Sequence, residues 1–131
     1  MTSWVWLDAR DARTIHERLL AVHGGAEGVR DAGLLASALA RPEQVAAYGD
    51  SPDIGDLAAA YTAGIVKNHP FIDGNKRVGF VLGVLFLEMN GWRFVASEED
   101  ATRAVLDLAA GSMDMAGYAA FLREHAVLET P

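Results

Sequence analysis

Residues 78–89 read Val-Gly-Phe-Val-Leu-Gly-Val-Leu-Phe-Leu-Glu-Met and are apolar almost throughout. Because the apolar positions fall on every side of a helix rather than on one stripe, this stretch predicts a helix in the middle of a bundle. We expect that helix to span about residues 75–90 and to end at Gly91. Gly79 and Gly83 would leave one flank without side chains, so that another helix can approach closely.

Helical patterns on both sides extend the bundle. The other predicted helices run from Asp8 to about His23, from Asp31 to just before Pro42, and from near Asp56 to about Asn68. Two more begin at Ser97 and at Asp114, and the last of them ends at His125. The second helix is expected to stop before Pro42 because a proline disfavours helical geometry in the residue before it. Residues 42–55 are then predicted to form a loop with a short extended piece, and residues 92–95 an extended link. The predicted fold class is all-α, a compact helical bundle.

Length and composition fit one domain over residues 1–131. The chain is 51% apolar and 22% charged, which excludes disorder from low hydrophobicity. It has no cysteine, which excludes disulfide scaffolds, thiolate zinc sites and cysteine nucleophiles. The N-terminus lacks signal-peptide features, and the longest apolar run is too short to cross a bilayer. We therefore expect a soluble, cytoplasmic protein without a membrane partner.

The charge is unevenly distributed along the chain. The net charge of −7 disfavours direct binding to nucleic acid through phosphate neutralisation. Residues 67–96 nevertheless carry four basic and two acidic side chains. This basic island is compatible with random scatter and equally with a local site for an anion.

The first turn of the central helix contradicts the usual placement of charge. Lys76 and Arg77 lie at the positive end of the helix dipole, where each cation should reduce the stability of the helix by a few tenths of a kcal/mol and up to ~1 kcal/mol. A bound phosphate would supply the missing negative charge, and Gly74 would let it approach the backbone. The alternative is that both cations are solvated or paired with nearby acids.

Two further side chains precede this turn. His69 is held by Pro70 and is a candidate base, although a lone histidine is more often structural. Asp73 would lie close to the phosphates and would need a bridging Mg²⁺, unless it only forms an Asx turn with Gly74. Phe71 is expected to anchor the loop in the core. A base, a metal ligand and a phosphate site together indicate phosphoryl or nucleotidyl transfer.

Residues 69–77, His-Pro-Phe-Ile-Asp-Gly-Asn-Lys-Arg, resemble the signature H-P-F-x-[D/E]-G-N-G-R of the Fic/Doc (Fido) family. Residues 33–35, 38–42 and 86–91 also look like death-on-curing proteins of this family. The resemblance implies a compact Fido-type helical bundle with a short flap loop or hairpin before the motif helix.

The resemblance also implies a role for each matching residue. His69 would be the general base for a hydroxyl of a target protein, and Asp73 would bind the Mg²⁺ that bridges the phosphates of ATP. The residues implied to bind phosphate are Gly74, Asn75, Lys76 and Arg77, with Phe71 as loop anchor. The residues implied to form the flap, which docks a target by strand addition, are Gln44, Val45, Ala46, Ala47 and Tyr48.

Two departures from the signature resemble the Doc branch of the family. Lys76 replaces the glycine of AMP-transferring members, and Phe80 replaces their second arginine. The resemblance then implies a protein kinase that transfers the γ-phosphoryl group of ATP to elongation factor Tu and arrests growth by blocking translation.

No Ser or Thr is followed four residues later by Glu, as self-inhibiting members require. Inhibition would therefore come from a Phd-like antitoxin.

Other functions remain open on the sequence alone. AMP transfer (AMPylation) to a protein hydroxyl is one alternative. A catalytically silent helical module that binds a partner through residues 42–48 is another. A metal site built on histidines is disfavoured, because His16 and His23 lie seven residues apart on a predicted surface helix with no other ligand close in sequence.

Overall fold

A computed structural model describes residues 3–129. Within them the chain forms six helices and one small sheet. In chain order the elements are α1 Ala9–His23, α2 Ala32–Tyr48, α3 Ile54–Asn68, α4 Asn75–Met89, β1 Trp92–Phe94, α5 Glu98–Ala110, α6 Met115–Glu124 and β2 Ala126–Leu128. The all-α fold class is confirmed. None of the helices in this part of the chain is long and apolar enough to cross a membrane.

Side-chain caps define most helix starts. Four residues predicted to begin helices each accept a hydrogen bond from a backbone N–H of the first turn and so act as caps; they are Asp8, Asp31, Ser97 and Asp114. The third helix begins slightly earlier than expected because Asp53, rather than Asp56, is its cap. The two carboxylates each accept the other residue's backbone N–H, which forms a capping box.

α3 and α4 form the centre of the bundle and pack unusually closely. A Cβ atom at Gly79 would lie 3.1 Å from the carbonyl oxygen of Thr62, and one at Gly83 would lie 3.1 Å from that of Ala58. The glycine flank predicted on α4 therefore faces α3. α3 is buried at every position from 57 to 65, which its many alanines allow by keeping the neighbouring helices near.

The predicted end of the second helix is wrong. α2 continues through Pro42 to Tyr48, so residues 42–48 are helical rather than a loop. A proline in a helix interior costs about 3 kcal/mol. Here the ring of Pro42 is buried, and the continued helix packs Val45 and Ala46 against the core. Val45 and Ala46 are partly buried, so it is their packing together with burial of the Pro42 ring that offsets the local preference.

The helical geometry of residues 42–48 also contradicts the predicted flap. The residues expected to dock a target in extended form, Gln44, Val45, Ala46, Ala47 and Tyr48, all lie on the last turns of α2. Their backbone groups follow helical geometry and are not arranged as a strand edge. Strand addition at this stretch is therefore incompatible with the structure.

A two-stranded antiparallel sheet closes one end of the bundle. The extended link predicted at residues 92–95 contains β1, but its partner β2 was not predicted. Trp92 pairs with Leu128, and Phe94 pairs with Ala126. The ring of Phe94 lies between those of Phe80 and Phe121, with centroid distances of 5.8 and 6.1 Å, and so attaches the sheet to α4 and α6.

An ion pair joins the end of α6 to the start of α3 and predicts a pH effect. Arg123 Nη1 lies 3.1 Å from Asp53 Oδ1 and 3.3 Å from Asp56 Oδ1. Partial burial tends to raise the pKa of Asp53, but the N–H of Asp56 and the charge of Arg123 outweigh it and lower that pKa overall. Because the folded pKa is lowered, this contribution to stability is present at neutral pH and is lost as pH falls below about 4.

We expect Arg123→Gln to lower the free energy of unfolding by up to ~1 kcal/mol at pH 7, and to reduce its loss between about pH 4 and pH 2. Urea denaturation across this range would measure both effects. Arg103→Gln is the control, because Arg103 makes only an exposed pair with Glu99 at 3.9 Å. A pH profile of Arg123→Gln that coincides with the wild-type profile would contradict this prediction.

Candidate active site

The site begins where α3 ends. His69 is the C-cap of α3, and its N–H donates to the carbonyl oxygen of Ile65 at 3.0 Å. Its backbone is left-handed, with φ of 51° and ψ of 53°, a conformation that costs a non-glycine residue about 1 kcal/mol or more. The residue is exposed. His69 is thus held by its backbone at a turn while its side chain remains accessible.

Arg30 stabilises this turn from outside. Its Nε donates to the carbonyl oxygen of His69 at 2.7 Å, and its Nη2 donates to that of Asn68 at 2.9 Å. Its backbone N–H donates to the carbonyl oxygen of Pro70 at 2.6 Å. A cation that binds the last carbonyls of a helix also interacts favourably with the helix dipole. Arg30 therefore offsets part of the cost of the left-handed turn.

The next part of the loop is tied to the start of α4. Phe71 is fully buried. Its N–H donates to Asn75 Oδ1 at 3.0 Å, and its carbonyl oxygen accepts from Asn75 Nδ2 at 2.9 Å. The Asn75 side chain is 4% exposed and is committed to these two bonds. Asn75 can therefore contribute to phosphate binding only through its backbone N–H.

These two hydrogen bonds predict a stability effect. Asn75→Ala would leave a buried N–H and a buried carbonyl of Phe71 without partners, and we expect the free energy of unfolding to fall by about 2 kcal/mol. Asn68→Ala is the matched control, because Asn68 makes one side-chain bond, from Nδ2 to the carbonyl oxygen of Leu34. We expect about half the effect there in urea denaturation. Equal decreases in the free energy of unfolding for the two variants would show that the pair of hydrogen bonds between Asn75 and Phe71 contributes no extra stability.

Asp73 and Gly74 form the turn into α4. The carboxylate of Asp73 accepts the N–H of Gly74 at 2.9 Å on Oδ1 and the N–H of Ala26 at 3.3 Å on Oδ2. Gly74 is the N-cap of α4, with φ of 81°, a conformation that favours glycine. Asp73 is exposed, so its carboxylate remains reachable from solvent.

The N-terminus of α4 has the features of an anion site. Gly74 supplies no side-chain cap. Lys76 and Arg77 are exposed, and within residues 3–129 neither has a carboxylate within ion-pair distance. The first N–H groups of a helix have no partner inside the helix and point outward. Two free cations and unpaired N–H groups thus converge at one helix end.

Residues 24–31 border the motif where the flap had been expected from residues 42–48. Val29 forms an antiparallel bridge with Phe71, and the N–H of Ile72 donates to the carbonyl oxygen of Gly28 at 3.1 Å. A groove of about 870 Å³ lies between this segment and α1, and Phe71 also lines it. The segment between α1 and α2 is therefore the backbone neighbour of the motif.

A buried histidine on α1 also reaches the motif. His16 is 4% exposed, and its Nε2–H donates to the carbonyl oxygen of Asp73 at 2.9 Å. Its ring stacks on that of Phe71, with centroids 4.1 Å apart and planes at 20°. α1 is a surface helix, as expected, but His16 lies on its buried face and packs inward against the loop.

The sequence model described as the Fic/DOC family matches residues 6–87, which contain α1, α2, α3, the motif and most of α4. The chain belongs to the Fic/DOC family.

Two curated proteins are similar to the chain over most of their length. A protein named Toxin Doc, from Mycolicibacterium smegmatis, is 36% identical over 127 residues, which cover 88% of this chain and 94% of the relative. A protein named Protein kinase doc, from Escherichia phage P1, is 29% identical over 109 residues, which cover 83% of this chain and 86% of the relative.

Sequence reasoning missed two residues that contact the Fic/DOC motif. His16 carried a usable signal, because it lies four residues after Ala12 and three before Leu19 and so falls on the inward face of α1. Arg30 carried none, because its contacts with the end of α3 depend on how two distant segments meet. Both bind backbone carbonyls of motif residues or their neighbours rather than extending the motif itself.

Proposed function

We propose that this chain is a Doc-like toxin that uses Mg²⁺ and ATP to phosphorylate a hydroxyl group of a target protein. The observation that carries the proposal is the N-terminus of α4, where Lys76 and Arg77 have no acidic partner among residues 3–129 and Gly74 leaves the helix uncapped. The names of the two relatives, a toxin and a protein kinase, support the same chemistry.

The reaction assigns one task to each part of the site. His69 accepts the proton of the target hydroxyl, whose oxygen forms a bond to the γ-phosphorus of ATP. The bond from that phosphorus to the β–γ bridging oxygen breaks, and ADP leaves with its electron pair. The N–H groups of the first turn, with Lys76 and Arg77, stabilise the negative charge on the phosphate oxygens. Positioning and charge stabilisation supply most of the catalysis in such transfers.

Asp73 fits the requirement for Mg²⁺. The ion commonly uses one or two protein carboxylates together with phosphate oxygens and water. Among residues 3–129 no three His, Asp or Glu side chains cluster to hold a metal by themselves, but Asp73 provides one exposed carboxylate beside the anion site. When bound there, Mg²⁺ would screen the charge of the phosphates.

Two side chains favour phosphoryl transfer over AMP transfer. Lys76 places a side chain and a charge where AMP-transferring relatives of the family have glycine. Phe80, in the place of their second arginine, is half-buried and packs edge-to-face on Phe94. Lys76 and Arg77 therefore concentrate positive charge at the start of α4, which suits a γ-phosphoryl group held at that point.

The proposal extends to target and partner. As a Doc-like kinase, the chain would act on a threonine of elongation factor Tu in the cytoplasm and so stop translation. A Phd-like antitoxin would neutralise it, because the sequence lacks the inhibitory Ser/Thr-to-Glu spacing of self-inhibiting family members. The relative named as a toxin supports this biological role.

Labelled ATP tests the proposal directly. Purified protein with Mg²⁺ and elongation factor Tu is incubated in parallel with γ-labelled and α-labelled ATP. We expect label on the target from γ-labelled ATP only. Label from α-labelled ATP would instead establish AMP transfer, and no label on this factor or on any protein of a cell extract would favour a silent binding module.

A further inference from the structure

The imidazole of His16 is a buried polar group that contacts the motif from another helix. It is 4% exposed and lies on α1, far along the sequence from the motif. Its Nε2 is 2.9 Å from the carbonyl oxygen of Asp73. Because a carbonyl oxygen can only accept, Nε2 must carry the proton and donate it.

This hydrogen bond fixes more than one atom. The Asp73 carbonyl and the Gly74 N–H belong to one planar peptide group, so holding the carbonyl also orients the N–H. That N–H donates to Asp73 Oδ1 at 2.9 Å. His16 therefore controls, through a single peptide plane, both the Asp73 carboxylate and the residue that caps α4.

We propose that His16 is a positioning residue for the phosphate-transfer site. Its Nε2–H holds the peptide group between Asp73 and Gly74 so that the Asp73 carboxylate and the first N–H groups of α4 face the Mg²⁺ and the phosphates of ATP. This inference rests on the proposed function for the identity of the ligand, whereas the orientation of the peptide group is a property of the free protein.

A purely structural role would use a different feature of the same side chain. The ring of His16 stacks on Phe71, and a space-filling aromatic ring would preserve that packing. The two roles can be separated because one needs a donor and the other needs a ring. His16→Phe keeps a ring and removes the donor, whereas His16→Gln removes the ring and keeps an amide N–H at a similar distance from the backbone.

Three measurements compare these variants with the wild type. NMR hydrogen exchange reports the Gly74 amide without nucleotide, calorimetry reports the affinity for Mg²⁺ with a non-hydrolysable ATP analogue, and phosphorylation of the target reports kcat and KM. For His16→Phe we expect exchange at Gly74 about tenfold faster, and nucleotide affinity and kcat lower by about 10- to 100-fold. For His16→Gln we expect all three values within about threefold of the wild type. KM for the target protein should not change in either variant.

The opposite result would overturn the inference: wild-type values of exchange, nucleotide affinity and kcat for His16→Phe, and impaired values for His16→Gln. It would show that the ring of His16 serves only in packing. Should His16→Phe not fold, His16→Leu replaces it as the variant without a donor. If no donor-free variant folds while His16→Gln does, the residue serves folding and the inference is again overturned. If the wild type transfers no phosphate, the proposed function fails, but exchange at Gly74 still decides whether His16 holds the peptide group.

Discussion

His69→Ala is expected to reduce phosphoryl transfer by about 10²- to 10⁴-fold, the usual contribution of a general base. The imidazole lies at the exposed C-cap of α3, beside the turn that leads to the N-terminus of α4. No other histidine touches the end of this helix among residues 3–129: His16 is buried, and His23 and His125 end α1 and α6. A loss in kcat with little change in nucleotide affinity is the expected pattern, because the base acts on the hydroxyl rather than on ATP.

The left-handed backbone of His69 requires a second variant. Alanine tolerates this conformation poorly, so part of any loss in His69→Ala could come from a shifted turn. His69→Asn avoids this difficulty, because asparagine adopts left-handed geometry more readily and lacks the basicity of imidazole. His23→Ala serves as the control on an exposed histidine outside the site. Retention of more than half of the wild-type activity in His69→Asn would exclude His69 as the base.

Gly83→Ala is expected to lower the free energy of unfolding although it adds only one methyl group. The added Cβ would collide with Thr62 Oγ1 and would lie 3.1 Å from the carbonyl oxygen of Ala58, at the closest approach of α3 and α4. The backbone atoms of a buried helix cannot move aside easily, so overpacking should cost about 1–3 kcal/mol. This cost exceeds the gain of up to ~1 kcal/mol from replacing a helical glycine by alanine.

Gly33→Ala makes the same chemical change without the collision. Gly33 is exposed near the start of α2, and the nearest atom to its added Cβ is a side-chain oxygen of Asp31 at 3.3 Å. We expect the free energy of unfolding to stay the same or to rise by up to ~1 kcal/mol. Thermal denaturation of the two variants should therefore give changes in Tm, relative to the wild type, of opposite sign or of clearly different size. Equal shifts would mean that α3 and α4 are not in close contact at Gly83.

Local signals predicted much of the helical framework. The caps at Asp8, Asp31, Ser97 and Asp114 need only a side chain within reach of a backbone N–H three residues later, so they can be recognised from neighbouring residues. The motif from His69 to Arg77 could be recognised for the same reason. Its hydrogen bonds between Asn75 and Phe71, and from the Gly74 N–H to Asp73, all join residues within four positions of one another.

The sequence-based predictions failed where contacts between distant segments determine the local structure. Pro42 predicts the end of a helix, but burial of its ring and of Val45 against the core keeps α2 helical. β2 has too few residues to predict its pairing, since a three-residue strand gains its hydrogen bonds only when β1 lies beside it. At Pro42 a local preference of about 3 kcal/mol is offset by contacts that the local sequence does not contain, and β2 likewise depends on a strand distant in sequence.

For this protein, the sequence by itself determined the helical class, most helix starts and the residues of the motif that it shares with the Fic/DOC family. These features depend on hydrogen bonds and apolar periodicity within a few residues. Only the tertiary structure brought His16 and Arg30 to the motif and placed residues 24–31 beside it. The physical reason is that packing of α1 against α4 and of α2 against α3 sets which backbone carbonyls these side chains can reach.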